Sequence, residues 1–172
     1  MPVSLRPSTP DDREAIVAVV RSAFGDNDTG GQLEVDVVLT TWELRHPDAV
    51  ELVAVDGQDV VGHILTVPAA AEGQAVQAIA PLSVRPDHQA RGVGSALVNE
   101  LLAQLTAQGW PVVLLLGDPR YYGRFGFAPA GDLDLHYPPV GAGSPAFQAK
   151  RLSTAAVAAR GDVRYAWEPV RS

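Results

Sequence analysis

The chain has 172 residues, 47% of them hydrophobic and 19% charged, which is enough apolar surface for one cored domain spanning 1–172 and makes no compositional case for disorder. A formal net charge of −7 argues against nucleic acid or an anionic membrane surface as a partner, since both require a basic face. The lack of cysteine excludes disulfides, thiolate metal sites and a cysteine nucleophile; Met1 to Arg6 does not read as a signal peptide and no run approaches the ~18 apolar residues of a membrane span, so a cytoplasmic protein is expected.

Val3 to Arg6 reads as a short strand. Thr9-Pro10-Asp11-Asp12 then places a cap, a first-turn proline and two acids before a helix in which Ile16, Val19, Val20 and Phe24 recur at helical spacing. Gly25 to Gly31 ends it, and a second helix is expected from about Gln32 to Arg45, with Leu33, Val37, Val38 and Trp42 as its apolar positions. Residues 51–55 and 60–67 form a hairpin turning through Asp56-Gly57, and a third strand runs from about Val76 to Val84. Gly92 to Gln108 is the clearest helix, with Leu97, Val98, Leu101, Leu102 and Leu105 on one face and Gly109 as its stop. Val112 to Leu116 reads as a strand buried on both faces, so residues 76–116 form strand, helix and strand, a parallel crossover. Phe147 to Leu152 and Val163 to Trp167 are further short strands.

The most informative stretch is Val84-Arg-Pro-Asp-His-Gln-Ala-Arg-Gly-Val-Gly-Ser-Ala-Leu97. A strand ends, a turn passes two alternating glycines, and an amphipathic helix begins. Glycines let backbone approach a ligand, and the unpaired amides of a first helical turn carry the positive end of the helix dipole, which suits an anion such as a diphosphate. A merely capped helix is the competing reading. The spacing is neither a P-loop nor a Gly-x-Gly-x-x-Gly fingerprint, since position 97 is leucine. Gln89-x-x-Gly92-x-Gly94 resembles the pyrophosphate-binding signature of the GNAT superfamily of N-acetyltransferases, and Ile79 to Val84 resembles that family's fourth strand. Pro81, which cannot donate to a ladder, marks a bulge or edge there.

A second match follows the next strand. Leu116-Gly-Asp-Pro-Arg-Tyr-Tyr-Gly-Arg-Phe-Gly-Phe127 resembles a bacterial GNAT subgroup carrying Gly-Asp-Pro-x-Tyr-Tyr-x-Arg-Phe-Gly-Phe, with Tyr122 at the family's tyrosine position. The resemblance covers roughly residues 79–130. It implies an α/β fold with a mixed twisted sheet, flanking helices and splayed parallel strands gripping acetyl-CoA as acyl donor. Residues implied in donor binding are Leu82, Ser83, Val84, Gln89, Ala90, Arg91, Gly92, Val93, Gly94 and Ser95. The implied reaction is transfer of acetyl to a primary amine by direct attack in a ternary complex, since no cysteine exists to carry an acyl-enzyme. Tyr122 would protonate the departing thiolate, a phenol of pKa about 10 being protonated at neutral pH; packing against the donor is its other reading. Arg120 and Arg124 are either solvated charges or phosphate contacts.

Other residues carry weaker signals. The four histidines have no metal-ligand spacing, so no metal is expected. His63 either faces the acceptor pocket or is a hydrogen-bonded strand residue, and His88 is expected to be exposed. Ser83 lacks a nucleophile elbow. The general base is a gap: Glu34 and Asp36 are substrate-side candidates, or solvated helix charges. Residues 1–84 hold 4 basic and 13 acidic side chains, which suits a small-molecule or peptide amine of positive charge, although a merely soluble surface would look alike. The competing functions are an acyl-CoA-binding regulatory or interaction module without turnover, and a nucleotide-binding protein. The oligomeric state, a homodimer included, is open.

Overall fold

The computed structural model describes residues 3–25, 28, 30–141, 143–153 and 159–166. In chain order the elements are β1 (Ser4–Pro7), α1 (Arg13–Phe24), α2 (Gln32–Leu44), β2 (Glu51–Asp56), β3 (Asp59–Ala71), β4 (Gln74–Val84), α3 (Val93–Ala107), β5 (Val112–Leu116), α4 (Pro119–Tyr122), β6 (Ala128–Pro129), β7 (Leu135–His136), β8 (Phe147–Arg151) and β9 (Gly161–Tyr165). They form a mixed, mostly antiparallel sheet with helices. The chain divides into two compact units, Met1–Thr66 with Ala80–Leu101, and Val67–Ile79 with Leu102–Ser172. Strands β3 and β4 and helix α3 contribute residues to both.

In the first unit β1 pairs antiparallel with β2, Ser4 opposite Val55. β2 pairs antiparallel with β3, Val53 opposite His63, and the hairpin turns at Asp56 opposite Asp59 with Gly57 at φ +64°. Ile16, Val19 and Val20 of α1 and Val35 and Val38 of α2 pack with Val53, Val55, Val60 and Leu65 in one buried cluster. Burying each such branched side chain contributes roughly 1.5–3 kcal/mol. The expected apolar face of α2 needs correction: Leu33 is 60% exposed, while Val35 is buried. Val35, Val38 and Trp42, at i, i+3 and i+7, form the inward stripe. This helix is apolar around most of its girth, so its pattern alone supports more than one face. Against β3, α3 packs closely at Gly62, where an added Cβ would stand 3.0 Å from both Leu97 Cδ1 and Val93 Cγ1.

The entry into α1 is a charged cap. Asp12 accepts from Arg6 at 2.7 and 2.8 Å, from the Thr9 amide at 2.7 Å and from Thr9 Oγ1 at 2.9 Å. The Arg6 hydrogen bonds hold the Asp12 carboxyl well below the usual carboxylate range, against the opposing effect of burial. This depressed pKa makes its stabilisation present at neutral pH and lost as pH falls through the folded value. Asp12→Ala is expected to cost about 2 kcal/mol in urea unfolding at neutral pH, with the difference from the parent shrinking in acid.

In the second unit β4 runs parallel to β5, Gln77 opposite Val113 and Ile79 opposite Leu115. β5 pairs antiparallel with β8, β8 with β6, the end of β3 with β9, and β7 parallel with β9. Val112 to Leu115 are buried as expected of a central strand, but Leu116 is 44% exposed where the strand ends. The sequence reading of β3 and β4 stopped short of the Glu72-Gly73 turn, which extends both strands. Of the expected last strand, Trp167 lies outside the described residues.

Candidate active site

The turn before α3 is held in place at both ends. The Arg85 amide donates to the Val61 carbonyl at 2.9 Å, and Gln89 Nε2 donates to the Val84 carbonyl at 2.9 Å. Ala90 and Gly92 take left-handed backbone at φ +56° and +83°. The first internal helical bond is Ala96 amide to Gly92 carbonyl at 2.9 Å, so the amides of residues 92–95 precede any intrahelical acceptor. Arg91 and Gly92 are exposed, Val93 is buried, and Gly94 and Ser95 are half-buried. A Cβ added at Gly92 would meet no protein atom within 4 Å, so the backbone there stands open. Outward amides at the positive end of a 15-residue helix fit a diphosphate.

His88 is buried, not exposed as expected. Its Nδ1 bonds Asp87 at 2.9 Å and its Nε2 bonds Asp56 at 3.1 Å, while Arg85 bridges to Asp87 at 2.7 and 2.9 Å. The turn ahead of the glycines is thereby tied to the β2–β3 hairpin. Bonds to Asp87 and then Asp56 raise the His88 pKa, against burial. A raised folded value means that this stabilisation is complete below the unfolded histidine range and is lost as pH rises through the folded value. Thermal stability of the parent is therefore expected to fall across that window relative to His88→Gln, which has no such dependence. Thermal melts of both proteins across the window would check this.

Tyr122 lies in the second unit. Asp118 caps α4, its carboxylate accepting from the Arg120 amide at 2.9 Å and also from the Arg120 guanidinium. The Tyr122 ring meets Tyr121 edge-on at 4.9 Å between centroids and Phe127 at 5.9 Å. A Cβ on Gly117 would stand 2.8 Å from Tyr122 Cδ2, and closer to Cε2, so the glycine makes room for the ring. Burial, with a smaller contribution from Tyr121, raises the Tyr122 pKa. Arg124 stacks over the Tyr121 ring at 4.0 Å and donates to the Tyr121 carbonyl at 2.9 Å.

On the α1–α2 side of the first unit stands a polar cluster in an apolar face. Glu51 accepts from His63 Nε2 at 2.8 Å and from Trp42 Nε1 at 3.0 Å, and from Ser8 Oγ. Burial pushes the Glu51 carboxyl up, but the bonds from His63, Ser8 and Trp42 together bring it below its usual value. Glu51 was missed in the sequence. Its signal was an acid opening an otherwise apolar strand and, once the hairpin register is known, sharing a face with His63. Of the other candidates, Ser83 is buried, and Leu82 and Val84 are half-buried. Asp36 is exposed and bonded to Gln32 at 2.6 Å, and neither it nor Glu34 belongs to the Glu51 cluster.

Residues 4–130 match the acetyltransferase (GNAT) domain family, and the chain belongs to that family. It is 34% identical over 154 residues, 87% of either sequence, to the uncharacterized N-acetyltransferase YhbS of Escherichia coli K12. The crystal structure of Escherichia coli YhbS in complex with CoA is similar at a TM-score of 0.83 and 32% identity, covering 95% of this chain and 89% of that one. A GNAT acetyltransferase from Brucella melitensis in complex with acetyl-CoA gives 0.78 and 30%, covering 95% and 96%. Among the described residues no group of three or more His, Cys, Asp or Glu could hold a metal ion, and no helix is long and apolar enough to cross a membrane.

Proposed function

We propose that residues 1–172 form one N-acetyltransferase domain that moves the acetyl group of acetyl-CoA to a primary amine by direct attack in a ternary complex. The observation that carries this reading is the open run of amides at residues 92–95, preceded by left-handed Ala90 and Gly92, in a member of the GNAT acetyltransferases. Relatives solved with CoA and acetyl-CoA support the choice of donor. In this reading residues 89–95 take the donor's diphosphate, the backbone of Leu82 and Val84 takes its pantetheine arm, and Tyr122 donates to the departing sulfur. With no cysteine in the chain, direct attack is favoured over a thioester acyl-enzyme. The acidic excess of residues 1–84 favours a cationic acceptor.

The test is coenzyme A release in the presence of amines, polyamines, amino acids and amino-terminal peptides. The expected result is acceptor-dependent thiol release that slows with added salt. Donor binding without such release across the panel would make the protein a binding module. A thermal-shift preference for ATP or NAD over acetyl-CoA would overturn the reading altogether.

A further inference from the structure

Gln148 stands on β8 opposite Leu115 of β5 and is 1% exposed. Its Nε2 donates to the Gly117 carbonyl at 3.0 Å, while its Oε1 is buried with no partner among the described residues. The orientation of the amide follows from chemistry, because a carbonyl oxygen can only accept and the group facing it must be the NH2. A buried acceptor without a donor destabilises a fold, and an apolar side chain of the same length would avoid that cost. The contribution of this glutamine therefore lies in what its one bond holds.

The Gly117 peptide is the joint between β5 and the segment that carries Tyr122. The pairing of β5 with β8 ends at Leu116 opposite Phe147, and the Gly117 amide adds one more bond, to the Ala146 carbonyl at 2.9 Å. Beyond it, the Asp118 side chain caps α4 on the Arg120 amide at 2.9 Å, and the Asp118 carbonyl accepts from the Tyr121 and Tyr122 amides at 3.0 and 3.1 Å. Position 117 needs glycine, since a Cβ there would overlap the Tyr122 ring. The same lack of a side chain leaves its backbone torsions loosely restricted. Room for the ring thus comes with a soft joint. The bond from Gln148 fixes the carbonyl side of that joint, as the bond to Ala146 fixes its amide side.

We propose that Gln148 is the positioning residue of the proton donor: by holding the Gly117 carbonyl it fixes the peptide from which α4 starts, and with it the place of the Tyr122 hydroxyl. This rests on the acetyltransferase reading with Tyr122 as the acid; Gln148 itself moves no proton. A proton passes only when its donor and acceptor come within hydrogen-bond reach, and a displacement of about 1 Å caused away from the chemistry can cost about 100-fold in rate. Gly117, Asp118, Tyr122 and Gln148 all lie in the second unit, so the linkage is internal to it.

The test is a double-mutant cycle between Gln148→Met and Tyr122→Phe, reading kcat, KM for acetyl-CoA and melting temperature. Methionine keeps the length of the side chain and removes the amide, and the half-buried Gly117 can turn to water, so the melting temperature should stay within a few degrees. Gln148→Met is expected to lower kcat about 10–100-fold with KM for acetyl-CoA unchanged, and to lower it no further in the Tyr122→Phe background. Gln148→Glu gives a second reading. Its carboxylate cannot donate to a carbonyl but its carboxylic acid can, so its kcat relative to the parent should recover as pH falls. An equal loss in both backgrounds, a loss under about threefold in the parent background, or a Gln148→Glu ratio that stays low and flat with pH would overturn the proposal. Proton NMR of the Gln148 side-chain amide in the parent decides it where the variants fail to fold: one slowly exchanging, hydrogen-bonded proton supports it, and two freely exchanging protons overturn it. Full activity of Tyr122→Phe alone would refute the acid on which the proposal rests, and a parent without acceptor-dependent thiol release would refute the acetyltransferase reading.

Discussion

Tyr122→Phe is expected to lower kcat by about 10²–10⁴-fold, the range for loss of a general acid, with acetyl-CoA affinity unchanged. The half-buried ring packs among Tyr121, Phe125 and Phe127 and is seated against Gly117, and its burial, with a smaller contribution from the neighbouring Tyr121, raises its pKa. The phenol is then protonated throughout the neutral and mildly alkaline range. A raised pKa makes a poorer acid toward water, but a thiolate leaving in the same desolvated surroundings has its own proton affinity raised by the same cause. Phenylalanine keeps the packing and removes the hydroxyl, so the effect should fall on kcat and leave the melting temperature within a few degrees. Two measurements check this: single-turnover thiol release, and the absence of an alkaline limb in the parent below the ordinary phenol range. An active Phe variant would reduce Tyr122 to a packing residue.

Gly92→Ala is the second large effect. At φ +83° an L-residue is strained by roughly 1–2 kcal/mol, which denaturant unfolding would read directly. The functional cost is separate. The protein has no atom within 4 Å of where the new methyl would stand, so the protein's own packing tolerates it and the approaching ligand does not. A methyl over amides that should touch an anion is expected to weaken CoA binding at least tenfold, about 1.4 kcal/mol. Calorimetric titration with CoA and with pantetheine, which lacks the diphosphate, would show whether the loss is carried by the diphosphate. Equal affinity in the variant would count against an anion site at this turn.

Much of the fold was legible in local pattern. The helix over 93–107 and the hairpin at Asp56-Gly57 follow from periodicity and turn chemistry, both of which act between near neighbours in the chain. The glycine turn was legible for the same reason. The inward face of α2 was legible in part: Val38 and Trp42 face the core as read, but packing with the α1 and sheet residues placed Val35 there and left Leu33 exposed. His88 looked like an exposed turn residue because its second partner, Asp56, lies 32 positions away.

The line between the two kinds of information runs through the candidate site. The chain's acidity and its lack of cysteine are properties of composition, and the segments 89–94 and 117–127, each local in the chain, carry the resemblance to the GNAT family. The pairing of Glu51 with His63 depends on strand register, and the bonds that Trp42 and Ser8 bring to the same carboxylate depend on where α2 and the end of β1 pack. Hydrogen-bond partners and burial are set by distances in space, to which separation along the chain is nearly blind. A histidine and a carboxylate twelve positions apart are thus paired through register and packing alone.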